Sequence, residues 1–299
     1  MKKVIIVVLL VLVIAGGAMV MRSRQQQAAQ AELANAKKTT LYMAIPQGVF
    51  QAVKAVMDKF EKTHPDVTFQ NMVDTPEAMV EAIKQNKSKP DIFISPGGHE
   101  AEVLHQAGLL DPATMTAFGS YDVALLVPKG NPGKIKKLED LMNPEVKVIS
   151  FSYTDLNSAS FAAKQSLINL GLWDKVKGKV KETGCCMSSF RWILDGRAEA
   201  NVQFLGCPVD PKNAKQVEKS KVDFACVFPR ETVFIPRNVA GVLKTSKQPE
   251  LALEFVKFMG SPENVKLMID NRLRNDQNLP LTAGTWGPEN EKSPMPVKK

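Results

Sequence analysis

The spacing of apolar positions changes several times along the chain, and each change marks an element. Val4 to Met21 is an uncharged apolar run of 18 residues, close to the lower limit for a membrane-spanning helix. From residue 41 onward the apolar runs become short. Leu41–Ile45 is stopped by Pro46 and Gly48, as a buried strand would be. Val49, Val53, Val56 and Phe60 then share one helical face, and the segment ends before Pro65. Val67–Gln70 alternates like a strand. Asp74-Thr75-Pro76-Glu77 opens a helix, with Thr75 as the cap and Pro76 at its first position. Asp91–Ser95 reads as a buried strand, followed by a Gly97-Gly98 turn and a helix over 99–106. This β-α-β-α-β order predicts a parallel sheet covered by helices on both faces.

A second alternating set follows. A strand over Tyr121–Val127 ends at Pro128, and the pattern continues with strand 146–151, helices 158–170 and 187–195, and strand 200–205. Strand 236–244 and helices 249–259 and 262–270 complete it, and residues 287–299 read as a frayed tail. At 299 residues the chain suggests two domains, and 44% hydrophobic residues suffice to fill two cores.

The formal charge of +8 would suggest nucleic acid, but its location argues otherwise. Residues 1–40 carry Lys2, Lys3, Arg22, Arg24, Lys37 and Lys38 against Glu32 alone. The body retains only +3, so no nucleic-acid partner is expected. The N-terminal charges flank the apolar run, which gives two readings. Ala15-Gly16-Gly17-Ala18 offers small residues for signal cleavage, whereas Arg22 and Arg24 resemble the flank of a retained anchor. Both readings export the body to a periplasmic or extracellular face, and residues 22–40 then form a polar tether. No cysteine precedes Cys185, which excludes a lipidated N-terminal cysteine in this sequence.

Cys185, Cys186, Cys207 and Cys226 suit an oxidising compartment and lack the pair spacing of a zinc site. Adjacent cysteines seldom bridge each other. Cys185 or Cys186 is therefore expected to reach Cys207 or Cys226, with buried free thiols as the alternative. No phosphate-binding loop, nucleophile elbow or dinucleotide fingerprint occurs. His99-Glu100 begins like a metalloprotease helix, but His105 comes six residues after His99 where a second zinc ligand needs four. The expectation is a protein without catalytic residues, metal or cofactor.

Four strand-to-helix corners remain: Ile45–Gly48, Val73–Pro76, Asn157–Ser160 and Gly184–Met187. Each presents backbone amides at the positive end of a helix, a ready anion site that uses no Lys or Arg. Asp74 and Asp155 lie near these corners and would repel an oxyanion unless they coordinate its central metal directly or face away, as cap or turn residues would.

Five stretches carry a family resemblance: Val127–Leu141, Pro90–Ser95, Ala107–Pro112, Leu170–Asp174 and Leu243–Glu250. Together, in their order along the chain, they resemble the molybdate-binding proteins of ABC importers. The resemblance implies an α/β, two-lobed, type II periplasmic-binding-protein fold behind an N-terminal apolar segment. With the signal or anchor (1–21), tether (22–40) and tail (287–299) read above, it divides the body into lobe I (41–124 and 238–286) and lobe II (125–237). It also implies a small oxyanion held between the lobes, an ABC permease with its ATPase subunit, and a monomeric capture protein.

The family holds its oxyanion with serine hydroxyls, backbone amides and a tyrosine hydroxyl. Carried over, those positions fall on Gly48, on Thr75 or Pro76, on Ala159, on Cys186 and on Phe204. The amides at Ala159 and Cys186 survive any side chain, but the hydroxyl positions are lost or doubtful. Ser95, Ser158, Ser160 or Gln203 would have to substitute, or the ligand differs from molybdate, because a buried dianion short of donors is costly. The implied fold also brings Cys207 near Cys186, so a Cys186–Cys207 or Cys185–Cys207 disulfide is expected along the cleft wall. The alternative to transport is a membrane-tethered sensor or docking protein that reuses the fold with a different ligand.

Overall fold

The computed structural model describes Met21, Arg24, Gln25 and residues 38–207, 213–233 and 236–276. The apolar run (Met21 aside), most of the tether and the tail at 287–299 lie outside the described residues. Among the described residues no helix is long and apolar enough to cross a membrane.

The chain divides into two compact units, residues 1–40 with 61–68 and residues 41–60 with 69–299. In the smaller unit the Thr39 amide donates to the Asp66 carbonyl at 2.7 Å and the Val67 amide to the His64 carbonyl at 2.9 Å.

The described residues form two five-stranded sheets. Strands of the first are β1 (Thr39–Pro46), β2 (Val67–Asp74), β3 (Ile92–Ser95), β4 (Thr116–Ser120) and β10 (Arg237–Val242), in spatial order β2-β1-β3-β10-β4. Its helices are α1 (Phe50–Thr63), α2 (Pro76–Lys84), α3 (His99–Gln106), α8 (Pro249–Met259) and α9 (Pro262–Asp270). The second sheet has β5 (Val123–Pro128), β6 (Ile149–Phe151), β7 (Val180–Glu182), β8 (Ala200–Phe204) and β9 (Val222–Val227), in order β7-β6-β8-β5-β9. It carries α4 (Ser158–Asn169), α5 (Trp173–Val176), α6 (Cys186–Leu194) and α7 (Ala214–Lys219). This is a mixed α/β, two-sheet architecture, as the resemblance implies.

Purely parallel sheets, as the strand-helix alternation predicts, are not what forms. β1 pairs with β3 in parallel, and β6 with β7 and β8, but β10 runs antiparallel to β3 and β4, and β5 antiparallel to β8 and β9. The cause is connectivity. β5 and β10 are the strands that arrive directly from the other sheet, without a helical crossover to restore their direction.

Both faces of the first sheet are buried, which explains the unbroken apolar runs in β1 and β3. One face meets α1 and α8, where Phe60 packs edge-on against Phe255 and Phe258 at 5.1 Å. Behind the other face, Met79, Val80 and Ile83 of α2 join Ala101 and Leu104 of α3. The second core collects Leu125, Phe151, Ala162, Ala163, Leu167 and Val202 around β5, β6, β8 and α4. Small residues on α4 let it lie close to the sheet, consistent with Ala159, Ala162 and Ala163 all being buried.

Among the described residues the chain passes between sheets twice, through Ser120–Asp122 and again after Phe228. The Tyr121 amide donates to the Pro236 carbonyl at 3.0 Å, tying one crossing to the other. Asp122 accepts from Arg230 Nε and Nη2, both at 3.0 Å. A third segment supports them: the Ser120 hydroxyl donates to Asn275 at 2.6 Å, and the Asp276 amide to the Ser120 carbonyl at 3.1 Å.

Candidate functional site

Two helices of the second sheet point their N-termini at side chains from the first. On α4, Asn157 is the cap, accepting from the Ser160 amide at 3.0 Å. On α6 the cap position is Cys185, whose side chain satisfies no amide there. That leaves the first amides of α6 free to donate to a partner outside the helix. The partner is Glu77, in the first turn of α2. Its Oε1 accepts from the Cys186 amide at 3.1 Å and from Asn157 Nδ2 at 2.7 Å.

Glu100, in the first turn of α3, does the same for α4. Its Oε1 accepts from the Ser158 amide at 2.7 Å, and its Oε2 from the Ser158 hydroxyl and, at 2.6 Å, the Ser95 hydroxyl. Ser158 Oγ in turn accepts from the His99 amide at 3.1 Å, and Ser95 Oγ from the Gly98 amide at 2.7 Å. The approach is close enough to require glycine at Gly97, since a Cβ there would lie 2.1 Å from Ser158 Cβ. Phe204 closes the same corner and stacks on Tyr121 of the crossing, with centroids 4.7 Å apart.

The two carboxylates differ in their satisfaction. Glu100 is fully buried, with donors on both oxygens. Glu77 is only 4% exposed, and its Oε2 has no hydrogen-bond partner. Burial, reinforced by the neighbouring Glu100 charge, pushes the Glu77 carboxyl up to about 7, against the pull of its amide and Asn157 donors. Near neutral pH it therefore exchanges a proton readily. Burial, with Glu77 beside it, also drives the Cys186 thiol far up, so that it stays protonated. His99 is held below its ordinary range by burial, its ring stacked on Phe161 at 4.0 Å.

The candidate positions from the sequence distribute unevenly over this seam. Ser95, Ser158 and the Cys186 amide meet there, but their donors are directed at Glu100 and Glu77. Ala159 is buried in the first turn of α4. Ser160 and Gln203 turn inward: Ser160 Oγ accepts from the Ser152 amide at 3.0 Å, and Gln203 Nε2 donates to the Cys186 carbonyl at 3.1 Å. Thr75 caps α2 by accepting from the Ala78 amide at 3.4 Å, and its own amide donates to Asp74 at 2.7 Å. Pro76 is buried and has no N–H to offer. Gly48 is exposed, in a short 3-10 turn, with open space around it.

The expected disulfide is not formed, for all four cysteines are free thiols. Cys185 Sγ lies 3.5 Å from Ser188 Oγ, Cys186 is half-buried beside Glu77, and Cys226 sits in β9 opposite Leu125. Cys207 is exposed just beyond β8.

Glu77 and Glu100 are absent from the candidate positions drawn from the sequence. Their one local signal is an acid in the first turn of a helix, which ordinarily complements that helix's own dipole.

The sequence family described as bacterial extracellular solute-binding protein matches residues 41–271. The chain belongs to that family. A Bacillus subtilis (strain 168) protein named as an ABC transporter substrate-binding lipoprotein, YvgL, is 24% identical over 240 residues, 80% of this chain and 87% of that protein. Among solved structures, the substrate-binding domain named for a molybdenum ABC transporter of Clostridium difficile superposes with a TM-score of 0.54 at 21% identity, covering 79% of this chain and 98% of that one. Iron-bound HitA of Pseudomonas aeruginosa gives 0.56 at 16% identity, covering 81% and 90%. These likenesses establish the fold of the solute-binding protein and leave its ligand to the chemistry of the seam.

Proposed function

We propose that this solute-binding protein is the exported capture component of an ABC importer and takes a small oxyanion between its lobes. In this reading lobe I comprises 41–124 and 238–286 and lobe II 125–237, with the apolar N-terminus holding the protein at the membrane. A permease and its ATPase subunit receive the ligand. Support for the importer comes from the B. subtilis relative and the C. difficile neighbour.

The observation that carries the ligand class is the pattern of donors at the seam. The amides of Ser158 and Cys186, the Ser158 hydroxyl and Asn157 Nδ2 all converge on carboxyl oxygens. A site that already accepts carboxylate oxygens through oriented amides has the chemistry to accept those of molybdate, tungstate or sulfate. Specificity would follow from the radius of the amide cage, and lobe closure would present both lobes to the permease.

Calorimetric titration of the full chain against molybdate, tungstate and sulfate tests the reading. Binding of one of the three, with a matching rise in melting temperature by mass action, is expected. Absence of heat and of any melting shift with all three would overturn it. One observation favours a second reading, since two buried carboxylates face the seam and a cationic solute would be drawn to them. Binding of a cation in place of every oxyanion would establish that alternative.

A further inference from the structure

Glu77 places a carboxyl where an incoming anion would need donors. The Cys186 amide at the start of α6 and the Nδ2 of Asn157, which caps α4, belong to the second-sheet lobe. Glu77 stands on α2, in the first-sheet lobe, and reaches both with a single oxygen. It is more than nine-tenths buried and its second oxygen is unpartnered, so the carboxyl is held there at a cost. A residue retained at such a cost, in the seat of the ligand, has the character of a competitor.

We propose that Glu77 determines what this cleft accepts, by occupying the anion seat of the ligand-free protein as a latch that an incoming anion must displace. The proposal rests on the cleft reading given above and adds to it a residue that sets both selectivity and closure. A weakly charged or small anion cannot repay the contacts Glu77 gives up, whereas one with several well-placed oxygens can. Glu100 holds its place beside the seat with three donors, so Glu77 is the carboxyl that yields.

Proton linkage fixes the direction of the pH effect. The groups facing Glu77 are the Glu100 carboxyl of α3, the amide and thiol of Cys186 on α6, and the uncharged Asn157. Latched, the Glu77 carboxyl holds its proton up to about 7, from an ordinary value of 4.5. Released into water it gives that proton up more readily. The latch is therefore strongest in acid and weakens as pH rises through about 7.

Hydrogen exchange at the Cys186 amide of the full chain, read at residue level in mild detergent without ligand, tests this directly. Wild type should protect that amide at about pH 6 and lose about tenfold of the protection at about pH 8.5, after correction for intrinsic rates. Glu77→Ala should lack the protection at both values, while the amides of β8 remain protected and so report an intact fold. Glu77→Gln, which keeps an acceptor but no titration, should stay protected at both. Equal protection in wild type and Glu77→Ala would overturn the latch.

Molybdate and sulfate titrations on the same three proteins form the second arm. Displacement predicts about tenfold tighter anion binding by Glu77→Ala than by wild type at about pH 6. Weaker binding by Glu77→Ala would overturn the proposal by making Glu77 a ligand contact. If no variant binds either anion while the Cys186 protection still depends on Glu77, the latch stands and the oxyanion reading falls.

Discussion

Gly97→Ala tests the geometry of the seam by adding one methyl group. The new Cβ would lie 2.1 Å from Ser158 Cβ, 2.5 Å from its Oγ and 3.0 Å from Phe204 Cζ. Ordinary carbon contacts need roughly 3.5–4.0 Å, so the two walls must part by about 1.5 Å or more. Ser158 Cβ sits on a buried helix start and cannot swing aside as a side-chain tip would. Gly97 is not among the residues with positive φ, so alanine suits its backbone once the seam opens. Parting by that amount breaks the Ser158 amide bond to Glu100 at 2.7 Å and the His99 amide bond to Ser158 at 3.1 Å. Bonds to charged groups contribute about 1.5–3 kcal/mol each, and water recovers part of the loss, so a net cost of about 3 kcal/mol is reasonable. At about 1.4 kcal/mol per decade this lowers the closed population roughly 100-fold. Exchange at the Ser158 amide, together with far-ultraviolet dichroism for the fold, reads the effect. Gly178→Ala, with nothing near its Cβ, is the control and should change neither. A Gly97→Ala protein that keeps wild-type protection at Ser158 would refute the close approach.

Three further outcomes are expected. Glu77 has its folded value raised from 4.5 to about 7, so its stability is fully present below about 4.5 and lost as pH rises through 7, a loss of about 3 kcal/mol. Glu77→Gln should therefore gain on wild type in melting temperature between about pH 5 and pH 8, and an equal difference at both would count against the shift. Asp91→Ala removes a buried acceptor shared by the Tyr42 amide at 2.8 Å, the Ser246 hydroxyl at 2.6 Å and the Lys247 amide at 3.0 Å. It should lower the denaturant midpoint by an equivalent of about 2–4 kcal/mol. Asp122→Asn weakens the paired contact to the half-exposed Arg230 at the crossing, and should cost only about 1 kcal/mol, diminishing in high salt.

Much of the fold is legible where local chemistry and tertiary structure agree. Pro76, Pro249 and Pro262 each sit in a helix's first turn, and α2, α8 and α9 begin there. β3 is a short apolar run between breakers and forms as such. By contrast Val180–Glu182 and Thr116–Ser120 are too short and mixed to show a period, so β7 and β4 emerge only from their neighbours. Strand direction is likewise hidden, since β5 and β10 read like their parallel companions and are reversed only by the route the chain takes. At the seam, the helix starts that supply amides can be read from caps. The carboxylates that fill them cannot, because an acid in a first turn looks the same whether it serves its own helix or another.

The two crossings also dictate an order of assembly. The strands of the second sheet are contiguous in sequence, from β5 to β9, so that sheet can be completed while the C-terminal part of the chain is still extended. The first sheet cannot. β10 lies between β3 and β4, and β4 has no other neighbour in the sheet. Ala117 must therefore wait for Val239, its register partner, to arrive from beyond the whole second sheet. Closing so long a loop is slow relative to local pairing. Until it closes, β3 and β4 have open edges, which an unfolded chain newly delivered across a membrane would have to keep from other strands.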